Sequence, residues 1–134
     1  LSLHDALPIY ADEAGSRGIT VKAYDIKWSP LSLEDLDRVW EEVWVASEDL
    51  DITEKYVEDL RGKVGEKCKA PKTGSPVNYM GEFTGIYRVQ FRKYFAFYRI
   101  RGEQIEVSRV LYARSDYMRT LFGRSEFILE DTEN

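Results

Sequence analysis

The sequence is poor in the residues that carry most side-chain chemistry, with one cysteine, Cys68, and one histidine, His4. A lone cysteine excludes an internal disulfide and a cysteine-based zinc site, and such usage fits a reducing cytoplasm. Cys68 follows Leu60 and Val64 at helical spacing, the position of a buried packing thiol. No run approaches the roughly 18 apolar residues of a membrane span, so no membrane partner is expected. There is no internal repeat, no low-complexity tract, and no motif that calls for a cofactor or a metal.

What is present is the composition of one soluble globular domain: 134 residues, 43% hydrophobic and 32% charged, enough for a single modest core. The formal net charge of −5 hides a division along the chain. Residues 1–60 carry 15 acids and 5 bases, whereas residues 61–125 carry 14 bases and 5 acids. The second part is therefore suited to an anionic partner such as RNA, DNA or an acidic polypeptide, unless the two parts complement each other on one surface.

The opening LSLHDALPI, residues 1–9, has no basic n-region, no sustained apolar region and no small-residue cleavage site, so it is a poor signal peptide. It resembles the translation of a sequencing-adaptor oligonucleotide. With the aperiodic polar stretch that follows, it forms a segment, 1–21, expected to be non-native or to lie upstream of the domain, whose start then falls at Val21. Residues 22–124 form the working domain on this reading, and it has no histidine. Residues 125–134 read as an acidic, flexible tail.

Lys22 to Ser29 alternates, with Tyr24, Ile26 and Trp28 on one face, as a half-buried strand does. Ser29-Pro30 starts a helix, the serine capping and the proline pre-organised for the first turn. Leu33, Leu36, Val39, Trp40, Val43 and Trp44 give that helix an apolar face, with Asp35 among the outer polar positions. A second helix is expected from an Asp51 cap, with Val57, Leu60, Val64 and Cys68 inward. Pro71, Gly74 and Pro76 predict a mobile loop running to about Gly85. Three strands follow, Ile86 to Lys93, Tyr94 to Arg101 and Gln104 to Tyr112. Arg101-Gly102-Glu103 turns the last two into an antiparallel hairpin, and a short helix from Asp116 to Phe122 ends at Gly123. The fold class is α+β: one strand, a two-helix hairpin, a three-stranded antiparallel meander and a short C-terminal helix. Three tryptophans exceed what so small a core hides, so at least one is expected in a groove that receives a partner.

Two stretches carry a family resemblance. YDIKWSPLSLEDLDRVW resembles the opening of the RelE/ParE superfamily of type II toxins, and YRVQFRKYFAFYRIRGEQIEVSRVLYARSDYMRTLF resembles its closing signature. Arg109-Val110-Leu111 followed by Arg114-Ser115-Asp116-Tyr117 is closer to the ParE branch, which commonly has histidine where this chain has Tyr112. The resemblance implies a cytoplasmic toxin causing growth arrest, of the kind that stabilises plasmids, neutralised by a cognate antitoxin that wraps over it. The ParE-like branch implies an inhibitor of DNA gyrase with no catalytic site of its own. The RelE-like alternative is a ribosome-dependent mRNA endoribonuclease using Arg92 and Arg114, with Tyr117 as proton donor. A third reading is an inactive relic that still binds antitoxin.

The residues bear on these alternatives. RNA cleavage needs a proton acceptor, a stabiliser of the charged transition state and a proton donor. Arginines serve the second task, but a domain without histidine supplies the other two poorly, which favours the gyrase reading. Arg88, Arg92, Lys93, Arg109, Tyr112 and Arg114 are the expected contacts to target or antitoxin. Arg88 and Arg92 fall on one strand face by alternation, which is equally the pattern of a solvated face. Arg109, between apolar neighbours, is expected to pair with a helix acid or an antitoxin carboxylate. Tyr94, Phe95, Phe97 and Tyr98 read as packing rather than as a base-stacking platform, and Asp116 as a helix cap.

Overall fold

Ser29 shows how the chain is organised around its helix starts. Its Oγ accepts a hydrogen bond from the Ser32 amide at 3.1 Å and donates to the Ser108 carbonyl at 3.0 Å. One side chain thus caps a helix and ties it to a strand distant in sequence. The computed structural model describes residues 23–123; the segments set apart at 1–21 and 125–134 lie outside the described residues. Strand β1 spans Asp25–Trp28, helix α1 Pro30–Ser47 and helix α2 Leu50–Gly65. Two 3-10 turns, Glu66–Cys68 and Pro71–Thr73, lead into β2, Ser75–Tyr79. Then come β3, Glu82–Phe91; β4, Tyr94–Arg101; β5, Gln104–Tyr112; and helix α3, Tyr117–Phe122. The sheet order is β1-β5-β4-β3-β2, with β1 parallel to β5 and every other pair antiparallel.

The α+β order read from the sequence is thus observed, with Asp116 capping α3 as expected. The sheet is buried on two sides. The α1–α2 hairpin covers one face through Leu36, Val39, Leu60 and Val64, joined by Cys68 of the first 3-10 turn, which pack on Val89, Ala96, Tyr98, Ile105 and Val107. The other face carries a smaller core of Val77, Ile86, Phe97 and Leu111, under Met118, Leu121 and Phe122 of α3.

Three local expectations are corrected. The stretch from Pro71 to Gly85 is not a loop: β2 and the start of β3 form a hairpin through Met80 and Gly81, both with positive φ (57° and 81°). That geometry matches the twist of adjacent strands. The breakers that disguised the hairpin each have a place in it. Pro76 lies on the edge strand, where a missing N–H is tolerated. Gly85 (φ 85°) lies beside the register shift between Val77 and Asn78, a bulge that only a residue tolerant of positive φ accommodates readily. Second, α2 is capped by Asp49 and not Asp51, its carboxylate accepting from the Ile52 amide at 3.0 Å. Glu48 ends α1 in the left-handed conformation (φ 52°), so the connection is short and Asp49 takes the extended backbone of a cap.

Third, the faces of α1 are not sorted by polarity. Asp35 is 1% exposed, while Leu33 and Trp44 are 42% and 39% exposed. The reason is where β1 stops. Trp28 is its last residue, opposite Val107, and β5 continues to Tyr112 with a bare edge. The Asp35 carboxylate covers that edge, accepting from the Val110 amide at 2.8 Å and from Arg109 Nε at 2.7 Å and Nη2 at 3.0 Å. Arg38 adds a fourth donor, Nη2 at 2.6 Å. A buried polar group was required here to satisfy a strand amide.

Candidate binding site

At one end of the sheet two turns lie side by side. The β3–β4 turn is Arg92-Lys93, and its Lys93 carbonyl accepts from the Ala113 amide at 2.7 Å, just after β5. Arg92, Lys93 and Arg114 therefore project from adjacent turns. Ser115 fixes the second turn, its amide and hydroxyl both donating to the Tyr112 carbonyl, at 3.0 and 2.6 Å.

Beside these cations a groove of about 600 Å³ opens between the sheet and the helical hairpin. Helix α1 contributes Val43 and Ala46 and α2 contributes Ile52 and Tyr56, while Tyr94, Tyr112 and Lys93 close the sheet side. The tyrosines pack edge to face: Tyr94 on Tyr112 with centroids 6.1 Å apart, and Tyr56 on Tyr94 at 6.3 Å. The Tyr94 hydroxyl donates to Glu42. Burial, then the Glu42 carboxylate, drive its pKa far above the ordinary phenol value, so Tyr94 is a fixed neutral donor at physiological pH. Exposed Val45, Leu50 and Ile52 extend the apolar surface around the tip of the hairpin. The groove joins a mostly apolar floor to cations at its mouth, which suits a partner segment with apolar and acidic side chains.

The sequence-predicted residues do not all meet here. Lys93 and Tyr112 line the groove, with Arg92 and Arg114 in the two turns beside it. Arg88 and Arg92 do not share a face, contrary to the alternation reading. Arg92 leaves the strand with φ 53° and lies 5.5 Å from the Tyr56 ring on the α2 side. Arg88 is on the opposite face, 4.5 Å from the centroid of Phe95, with Nη1 donating to the Tyr117 hydroxyl at 2.9 Å. Tyr117 in turn packs on Phe95 and Phe97. Arg109 pairs with a helix acid, Asp35, one of the two partners expected for it. Phe97 and Tyr98 are fully buried and Tyr94 nearly so, which makes these aromatics packing residues.

Sequence reasoning missed the groove itself. Its signal was available in Val45, Leu50 and Ile52, apolar residues off the core stripes on both sides of the helix connection. Of the three tryptophans, Trp28 packs on the main core with Arg61 over its ring at 5.1 Å, and none lines the groove. Among the described residues no cluster of three or more His, Cys, Asp or Glu is placed to hold a metal ion, and no helix is long and apolar enough to cross a membrane.

Comparison with known proteins gives a concordant picture. The family profile described as ParE toxin of type II toxin-antitoxin system, parDE, matches residues 26–117. No curated protein matches the sequence. Among solved structures, the chromosomal ParDE system of P. aeruginosa is similar in fold, with a TM-score of 0.58 at 18% identity, covering 69% of this chain and 98% of that one. The RelBE2 toxin-antitoxin complex of Mycobacterium tuberculosis gives 0.46 at 19% identity, over 67% and 91% of the two chains. A YoeB/ParE toxin from Agrobacterium tumefaciens gives 0.44 at 18% identity, over 66% and 96%. At 18% identity the likeness to the ParDE system is one of fold.

Proposed function

The chain belongs to the ParE toxin family of type II toxin-antitoxin systems, and from that premise we propose that it acts by binding: a cytoplasmic inhibitor of DNA gyrase, held inactive by a cognate antitoxin. The observation that carries this reading is the grouping of Arg92, Lys93, Tyr112 and Arg114 around the mouth of an apolar groove. An antitoxin segment that orders on binding places apolar side chains in the groove and carboxylates against the cations. The same cations are available to the target once the antitoxin has left.

The geometry is less suited to the nuclease alternative. A nuclease requires Arg92, Arg114 and Tyr117 around one phosphate. Arg92 instead lies toward α2, while the Tyr117 hydroxyl is engaged by Arg88 across the sheet. The test is a pair of assays on the purified toxin. DNA supercoiling by gyrase should be inhibited, with cleaved DNA accumulating, and ribosome-bound message should remain intact. Unaffected supercoiling together with cut message would reverse the assignment, and inactivity in both assays with retained antitoxin binding would mark a relic.

A further inference from the structure

Helix α1 carries a second surface, beside the face that lines the groove. Leu33, Trp40 and Trp44 recur at intervals of seven and four, which places them within a narrow stripe along an α-helix. Trp40 and Trp44 stack with ring centroids 6.0 Å apart and planes 21° apart. Among the described residues, neither indole belongs to either core. The stripe is bordered on its solvent side by Asp37 and Glu41, with Glu48 at the end of the helix, all exposed. Two independent features therefore coincide on one helix face: an aromatic pair that no core explains, and a row of carboxylates of one sign.

We infer that this face docks a cationic amphipathic helix of a protein partner. Exposed tryptophans are the side chains most often found as binding anchors, since each brings a large rigid apolar area at little cost in conformational entropy. The adjoining carboxylates match lysine or arginine at the flank of the incoming helix and repel acidic segments. The charge requirement is opposite to that of the groove, whose mouth is cationic, so the two surfaces select different partners. A second copy of this chain is a poorer match, since two α1 faces would oppose their carboxylates.

The test uses the full chain and two synthetic helical peptides about as long as α1, one of leucine and lysine and one of leucine and glutamate, each labelled for fluorescence anisotropy. The lysine peptide should bind and the glutamate peptide should not. Trp44→Ala should weaken binding by about thirtyfold, as loss of a hot-spot aromatic does, and Asp37→Lys/Glu41→Lys should weaken it comparably. A control reversal on the outer face of α2, Glu54→Lys/Glu58→Lys, should change it by less than about threefold, the scale of an exposed charge effect. Circular dichroism of each variant separates lost docking from lost folding. Equal loss in the α2 control, no loss in Trp44→Ala, or binding of neither peptide overturns the inference. So does self-association in sedimentation that Trp44→Ala abolishes, which would assign the face to a second copy.

Discussion

Asp35 has the most constrained environment of any charged residue described. Burial by itself raises its pKa, but the hydrogen bonds from Arg109, the Val110 amide and Arg38, with the charge of Arg109, outweigh burial and hold it below the ordinary carboxylate value of 3.8. Asp35→Ala strands a half-buried guanidinium and a buried strand amide together, and should cost about 3–5 kcal/mol in urea unfolding. Asp35→Asn keeps an acceptor for the Val110 amide and should cost less. The depressed pKa also fixes the sign of a pH effect. The folded state binds the Asp35 proton more weakly than the unfolded chain, so the carboxylate's contribution is complete above about pH 4 and is lost as pH falls through its folded pKa. Wild type should therefore lose stability in that acid range more steeply than Asp35→Asn. Cys68 gives a second residue-scale outcome. It is 1% exposed, and burial, assisted by the Asp25 charge, pushes its thiol up to about 11. A thiol reagent at pH 8 should label it only as fast as the protein opens, and at once in denaturant.

At the scale of elements, the β2–β3 hairpin depends on a close approach at its base. Gly74 is buried with ordinary negative φ, so its role is steric. A Cβ there would collide with the Tyr98 hydroxyl and sit 3.0 Å from Tyr87 Cβ. Those two rings stack at 5.5 Å, and Tyr98 donates to the Pro71 carbonyl at 2.5 Å. Gly74→Ala must displace this joint and should cost about 1–3 kcal/mol, the range for overpacking. Hydrogen exchange should show the loss first in the amides of β2 and β3, with α1 less affected. This joint also explains which elements were legible in the sequence. β1 and both long helices announce themselves through a buried face and a regular period, and the β4–β5 hairpin through β-branched and aromatic runs on either side of the Arg101-Gly102-Glu103 turn. β2 does not, because Pro76 within it and Gly74 just before it answer to tertiary demands, an open sheet edge and a packed tyrosine pair, that a local reading takes for loop signals. Asp35 and Trp44 were assigned to the wrong faces of α1 for a related reason. Polarity predicts burial only where neighbours supply no hydrogen bonds and no partner is awaited. Of the site, the cations were legible one by one, but their distribution between two faces of the sheet depends on a left-handed turn at Arg92.

Over the whole molecule the division of charge becomes spatial. The outer side of α1 is acidic at Glu34, Asp37 and Glu41, whereas the turns at the groove mouth carry Arg92, Lys93 and Arg114. Such separation orients an approaching partner by its field before any contact forms. The proposal that antitoxin and gyrase use the same cationic mouth then has a kinetic consequence. Reversing Arg92→Glu and Arg114→Glu should slow association with the cognate antitoxin by about tenfold or more at low salt and much less at high salt, with dissociation changed less, because rim charges act mainly through the encounter. Gyrase inhibition should weaken in the same variant, and saturating antitoxin should block gyrase binding by wild type. Stopped-flow association at two ionic strengths, run beside a supercoiling assay, checks both. If antitoxin association is unchanged while inhibition is lost, the two partners occupy different surfaces, and neutralisation would have to act through a change of shape instead of by covering the site.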